Sequence, residues 1–599
     1  MRLADAVLPE HHLCRTFFRE RERFLLSWDG GPVLGAVGDD GRLHIGAPAD
    51  ARRVPGGARV GLDGDAVLYV EEREVFAAVH LDADGTEVVV VEHGLDGGSE
   101  RWRTALPPTG RGGRTLTDVV HGVDEAGTAC LVLTVRDEAG GVVFHAVGPG
   151  RAVRTHRPAV DGQLVHWDLR CDAAVVREDR GPWDPRLYLE RPLSGAAPES
   201  VVARWADGLR GRALLVETPP DSEGRPVLWD LADGSSVPLT GPAGHIDDAR
   251  FVRDGSGRIL VVATADGSDV PHLWSPHTGT SVPLASHGTG RLRIRTAGPR
   301  GIGMYQVSTL GGSGWLWLGH DGAATLHRSP GDVPRYGGRA TLSSVRCGRT
   351  PMLRYLPERR PPTAVVVSLH GGPESLERDE LRWDGLYRDL LDAGIAVLGV
   401  DYCGSAGHGP LHTRRAWKAW TSAFREDVEA CVEAAAGWGV EPGRVALLGG
   451  SFGGALALLG CVLRHDLAGA VAAAPLIDIR GHAERAAAAD PFYRDWFAAR
   501  FELAATATPA QRVFDPAHLA GTGPGQRVVL VHGSEDEVTQ WQHSRHITDE
   551  ATRRGLPWML VTEPGVGHVP ADADETEQRY RNVRGALTEV LGRTAPAPQ

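Results

Sequence analysis

The sequence predicts two domains of different class: an N-terminal all-β propeller of about seven blades, and a C-terminal α/β domain on a mostly parallel, doubly wound sheet. Three observations predict it. At 599 residues the chain exceeds the roughly 250 to 300 at which a single hydrophobic core stops growing. Its first half is written in short β-type runs broken by turn pairs. Its second half alternates buried-type strands with helix-like stretches.

The β-rich half spans residues 21–338, after an N-terminal segment, 1–20, that is expected to pack on the C-terminal domain. Runs such as "RFLLSWDGGPVLGAVGDDGRLHI" and "AVLYVEEREVFAAVHLDADGTEVVVV" alternate apolar and polar residues around Asp-Gly, Gly-Gly or Ala-Gly pairs, the mark of antiparallel hairpins. The pattern recurs about every 40 to 50 residues, the length of a four-stranded blade, with starts near Phe24, Ala66, Val119, Leu164, Ala213, Ala249 and Leu292. Two stacked sandwiches are the alternative, because the repeats share little identity.

In residues 339–599 the strands "TAVVVSLH", "IAVLGVDY", "RVALLGG", "AGAVAAAP", "RVVLVHG" and "WMLVTEP" are separated by stretches such as "AFREDVEACVEAAAGW". This alternation predicts a parallel sheet covered on both faces, with its chemistry at the carboxyl ends of the strands.

The third of these strands runs into "GGSFGGALALL", so Gly449-Gly450-Ser451-Phe452-Gly453 form a G-x-S-x-G nucleophile elbow between strand and helix. Glycines are needed there because neighbouring backbone leaves no room for a Cβ. The serine is held strained with its hydroxyl exposed. The elbow makes the domain an α/β-hydrolase and Ser451 its nucleophile.

A serine hydroxyl needs a base, and the base needs a carboxylate to fix its tautomer. In this fold both follow the serine, acid before histidine, on loops after later strands. "RVVLVHGSEDEV" offers Asp536, flanked by Glu535 and Glu537, and spacing alone leaves the three acids open. "WMLVTEPGVGHVP" offers His568. His543 and His546 read as exposed residues of the helix after the acid loop. The amides of Gly372, in "HGGPES" after the first long buried strand, and of Phe452 are the oxyanion donors.

A formal net charge of −13, from 77 acidic and 64 Lys and Arg residues, gives no basic surplus for nucleic acid. The N-terminus lacks a secretory pattern, and no apolar run nears the roughly 20 residues that span a bilayer, so a cytoplasmic protein is expected. Seven scattered cysteines, none in C-x-x-C spacing, predict reduced thiols, with no disulfide framework and no zinc site. No metal or organic cofactor is expected.

Together the strings "HGGPE" (370–374), "DYCGSAGHG" (401–409), "GGSFGG" (449–454), "HGSEDEV" (532–538) and "GVGHVP" (565–570) resemble the prolyl oligopeptidase family of serine peptidases, most closely its acylaminoacyl-peptidase and dipeptidyl- or aminopeptidase-like branch. The resemblance implies Ser451, Asp536 and His568 as triad. It implies the Gly372 amide, rather than a tyrosine hydroxyl at His370, as oxyanion donor, and a propeller that screens access. Peptides or small acyl or amide compounds are the implied substrates, and a homo-oligomer is compatible. The chain departs from the family at Cys403, His408, Thr539 and Val569, where arginine, tyrosine, proline and glycine are common.

Phe492, Tyr493, Trp496 and Phe497 stand where relatives build a side-chain pocket, and plain packing is the competing reading. Glu374 reads either as a ligand for a free amino terminus or as a local salt-bridge residue. Trp417 and Trp420 read as core or interdomain contacts. The activity that follows is hydrolysis of short or N-terminally blocked peptides. The alternatives are an esterase, amidase or acyl transferase on the same triad, and a catalytically idle binding protein.

Overall fold

The computed structural model describes residues between 23 and 592. Residues 1–22, 54–64, 179–185, 218–224, 504–513 and 593–599 and several shorter stretches lie outside the described residues. The segment 1–20 expected to pack on the C-terminal domain is therefore outside them.

Four-stranded antiparallel sheets run from Arg23–Trp28 to Arg52–Arg53, from Asp65–Val70 to Ser99–Ala105, from His245–Phe251 to Thr280–Pro283 and from Arg291–Gly298 to Ala324–His327. An eleven-stranded sheet lies between the second and third of these. It is continuous for two reasons. Trp167 and Asp168 pair in parallel with Gly122 and Val123, and the long strand Glu199–Leu209 pairs with Arg186–Glu190 through its first half and with Arg212–Glu217 through its second.

That shared strand corrects one repeat start. The run at Ala213 is the second strand of its unit, and the first is the latter half of Glu199–Leu209. Its Asp207-Gly208 pair reads as a turn but lies inside the strand.

From the second sheet on, the first strand of each unit lies against the first strand of the next, and Arg23–Trp28 lies against Arg291–Gly298. The sheets therefore follow one another around a ring, as propeller blades do. From Arg114–Val123 onward each inner pairing is broken by a β-bulge, which sharpens strand twist. Apolar clusters fill the spaces between neighbouring sheets, for example Leu131 and Leu133 against Val79 and Val90.

The C-terminal domain is one eight-stranded sheet: β1 (Ala340–Cys347), β2 (Thr350–Pro357), β3 (Ala364–Leu369), β4 (Ile395–Val400), β5 (Val445–Gly450), β6 (Gly469–Ala473), β7 (Arg527–Gly533) and β8 (Trp558–Glu563). Its spatial order is β1-β2-β4-β3-β5-β6-β7-β8. The first two strands pair antiparallel and the rest are parallel. Strands such as "AVVVSL" and "IAVLGV" are buried along their whole length, as expected of strands covered on both faces. One apolar cluster lies on each side of the sheet. Chain order reverses between β4 and β5 around β3, so the crevice at the carboxyl ends opens beside β3 and β5. Among the described residues no helix is long and apolar enough to cross a membrane.

The domains interlock through the segment that follows "HGGP". Asp379, fully buried, accepts hydrogen bonds from Thr289 Oγ1 (2.8 Å), Ser308 Oγ (2.6 Å) and Thr309 N (2.9 Å) of the last blades and from Tyr355 OH (3.2 Å) of β2. Beside it Arg291 pairs with Glu380 at 2.6 Å. Replacing Asp379 by alanine strands these donors, and we expect a loss of about 3 kcal/mol, read as a lower calorimetric melting midpoint. An unchanged midpoint would show that the interlock contributes nothing.

Candidate active site

Ser451 follows β5 directly and caps helix α1 (Phe452–Leu463) with φ 54° and ψ −120°. This conformation costs a non-glycine residue about 1 to 3 kcal/mol. Hydrogen bonds from Ser451 N to Ala473 O (2.9 Å) and from Leu476 N to Ser451 O (3.0 Å) hold it. The expected close approaches are present. A Cβ on Gly449 would lie 2.1 Å from Gly453 O, and one on Gly453 would lie 2.2 Å from Leu369 O. The elbow thus packs backbone to backbone against the end of β3.

Gly371 backs onto the serine, its would-be Cβ 3.5 Å from Ser451 Cβ, and Gly372 has φ 137°. Phe452 is the first residue of its helix, so its amide has no intrahelical acceptor. Its ring is fully buried against Trp420 and Phe514. Gly371, after the end of β3, thus lies against Ser451, and Phe452 follows the serine directly after the end of β5.

Asp536 and His568 meet. His568 Nδ1 lies 2.8 Å from Asp536 Oδ2, and Asp536 Oδ1 accepts from the amides of Val538 and Thr539, both at 2.8 Å. His532 Nε2, 3.1 Å from Oδ2, also faces the carbonyl of Thr539 at 2.7 Å. Two acceptors around one nitrogen mean that it carries the proton. Burial alone would raise the Asp536 carboxyl, but the hydrogen bonds from His532 and His568, attraction to His568 and the Thr539 amide hold it well below the usual carboxylate range. No hydrogen bond joins the Ser451 hydroxyl to His568 among the described residues. Such contacts are often long before substrate binds.

Glu535 and Glu537 take no part in this pairing, and His543 and His546 sit on the helix Trp541–Arg553. The Glu374 carboxylate is engaged by Arg500 through two bonds, 2.7 and 3.0 Å. Arg500 is fully buried and its guanidinium lies 4.4 and 4.2 Å from the ring centres of Trp417 and Trp496. The salt-bridge reading of Glu374 is the one the geometry favours. Tyr493 and Phe497 pack in the core, with Phe492 and Trp496 against it. Trp420 is a core residue. Cys403 is fully buried, with its amide on Asp427 Oδ2 at 2.8 Å, and His408 bonds Asp401 at 2.7 Å. Val569 is 74% exposed beside His568.

Sequence reasoning missed three supports. The Tyr402 hydroxyl, buried behind "HGGP", reaches the carbonyls of His370 (3.1 Å) and Pro373 (3.2 Å) and pinches that loop. Its place directly after β4 was the available signal. Arg579 holds the carbonyl of His568 at 2.7 Å while bonding Glu563 at 2.8 Å. Neither it nor Arg500, which is 126 residues from its partner, left any local signal.

Residues 386–594 match the prolyl oligopeptidase family. Among curated proteins, the dipeptidyl aminopeptidase BIII of Pseudoxanthomonas mexicana is 26% identical over 243 residues, which is 39% of this chain and 34% of that protein. The chain thus matches about a third of the length of that relative. Among solved structures, a puromycin-hydrolysing peptidase of Mycobacterium tuberculosis superposes with a TM-score of 0.65 at 17% identity, covering 99% of this chain and 98% of that one. The acylaminoacyl peptidase of Pyrococcus horikoshii gives 0.66 at 12% identity, covering 98% of each. At such identities the likeness is one of fold: a propeller joined to an α/β-hydrolase domain.

Because folding depresses the Asp536 carboxyl, its ionised form stabilises the fold above the unfolded value of about 3.9, and the contribution fades as pH falls below it. Melting midpoints of the native protein and Asp536→Asn should therefore differ by a constant amount above pH ~4, and the gap should begin to shrink only as pH falls below that value. A gap that widens on acidification would contradict the charge assignment.

Proposed function

We propose, from the premise that residues 386–594 form a prolyl oligopeptidase family domain, that the protein is a serine peptidase acting on short or N-terminally blocked peptides. The observation that carries this reading is the Asp536–His568 pair, held on the loops after β7 and β8 beside a strained serine at the end of β5. The reading divides the chain into a propeller at 21–338, taken as seven blades from its succession of sheets, and a catalytic domain at 339–599.

The reaction follows from these positions. Ser451 Oγ attacks the scissile carbonyl carbon while His568 Nε2 takes its proton, and Asp536 keeps the imidazole in the tautomer that leaves Nε2 free to accept. Charge gathers on the carbonyl oxygen, where the amides of Gly372 and Phe452 donate to it. Collapse breaks the amide bond and His568 returns the proton to the leaving amine. The acyl group now esterifies Ser451. Water, deprotonated by His568, releases the acid and restores the serine.

The site also bears on the substrate end. Arg500 neutralises Glu374, so that carboxylate is not offered to a substrate ammonium, which favours blocked amino termini. The propeller ring stands over the catalytic crevice through the contacts of Asp379 and Glu380 and admits short chains.

Replacing Ser451 by alanine should leave the melting midpoint in place and cut turnover at least about a thousandfold. Acetylated and free aminoacyl chromogenic amides, tested beside simple esters, should rank acetylated amides first. Near-normal hydrolysis by the alanine variant would reject the nucleophile, and ester-only turnover would reject the peptidase assignment.

A further inference from the structure

We infer that Thr539 is a positioning residue of the triad, its hydroxyl locking Asp536 and His568 to the same strand end that supports Ser451. The inference rests on the triad proposed above and adds a residue to it. Thr539 is 3% exposed, and each of its polar atoms is engaged around the acid. Oγ1 lies 2.9 Å from Asp536 Oδ2, 2.9 Å from the carbonyl of Ala474 and 3.2 Å from His568 Nδ1. Its amide donates to Asp536 Oδ1 and its carbonyl receives His532 Nε2.

Ala474 is the connection to the nucleophile. It has a left-handed φ of 43° and directly follows Ala473, whose carbonyl accepts the amide of Ser451 at 2.9 Å. One hydroxyl thus touches the loops after β6, β7 and β8 at once. It has a single proton, shared between Asp536 Oδ2 and Ala474 O, so both carboxylate oxygens are fixed by donors: two amides on Oδ1, and His532, His568 and Thr539 on Oδ2. A carboxylate held in this way cannot swing when His568 becomes positively charged. The imidazole is thereby kept aimed at Ser451 through the proton transfer.

The other charged and titratable groups around His568 come from separate elements. They are Asp536 and, behind it, His532 of β7, His482 of the helix Ile479–Ala489, and Arg579 on the His568 carbonyl. None of them reaches Ala474 in the described bonds. Among the described side-chain bonds, Thr539 joins Asp536 and His568 to Ala474, whose own amide donates to Val531 O of β7 at 2.8 Å.

The test compares Thr539→Val, which keeps the shape and removes the hydroxyl, with Thr539→Ser, which restores it. Thr539→Val should lower kcat about tenfold with little change in KM, since misplacement acts on the transferring proton rather than on binding. With one donor fewer on Asp536, the remaining bond to His568 strengthens and favours the imidazolium. The acid limb of kcat/KM should therefore move up by roughly half a pH unit. Thr539→Ser should recover both values.

An unmoved kcat and acid limb in Thr539→Val, or equal damage in Thr539→Ser, overturns the inference. If Thr539→Val does not fold, Thr539→Ala serves the same comparison because it removes the hydroxyl without adding volume. Fluorophosphonate labelling of the unsubstituted protein separates the two levels. Failure to label Ser451 overturns the triad reading and this inference together, whereas labelling with an unmoved Thr539→Val profile overturns only the role of Thr539.

Discussion

The C-terminal half of the molecule depends on one backbone constraint, the left-handed turn at Ser451 between β5 and helix α1. The turn exists because Gly449 and Gly453 let backbone approach backbone within distances no Cβ would survive. It persists because Ala473 and Leu476 hold the serine from both sides. The same close approach presses the elbow against the end of β3, from which "HGGP" departs. A residue that costs energy in isolation is thereby over-determined by three neighbouring strand ends.

Carboxylates in this domain are set apart by their surroundings. Asp536 is surrounded by donors and stays ionised. Glu377, two positions before Asp379, has neither oxygen hydrogen-bonded and is pushed up to about 8 by burial, against the pull of Arg382. Glu374 is bound face-on by Arg500 between two tryptophans. Glu374 and Glu377 lie on the segment after β3 and Asp536 on the loop after β7, and of the three only Asp536 is hydrogen-bonded to His568. Charge, burial and hydrogen bonding, rather than residue type, separate a carboxylate paired with a histidine from the carboxylate of a salt bridge.

The segment after "HGGP" also carries the domain interface. Asp379 and Glu380 anchor it to the last blades while Tyr402 pinches the preceding loop from behind. The loop bearing Gly372 is fixed at one end by the hydrolase core and at the other by the propeller. The two domains therefore share a structural element placed directly at the crevice.

The order of strands and helices, the change of grammar near residue 339, the elbow and the post-strand places of Asp536 and His568 were all legible in the sequence. They rest on periodicity, glycine spacing and chain order, which are local. Spacing left Asp536 open against Glu535 and Glu537 and the family resemblance chose it, but its proximity to the histidine was not local. Only the structure brings Nδ1 of His568 to Oδ2 of Asp536. Tertiary packing alone also decided that Glu374 belongs to Arg500, that Thr539 ties three loops together, and that one long strand serves two blades. Each is a contact between residues far apart in the chain or on different strands, and a pattern of neighbours carries no information about which distant side chain will fill a given space.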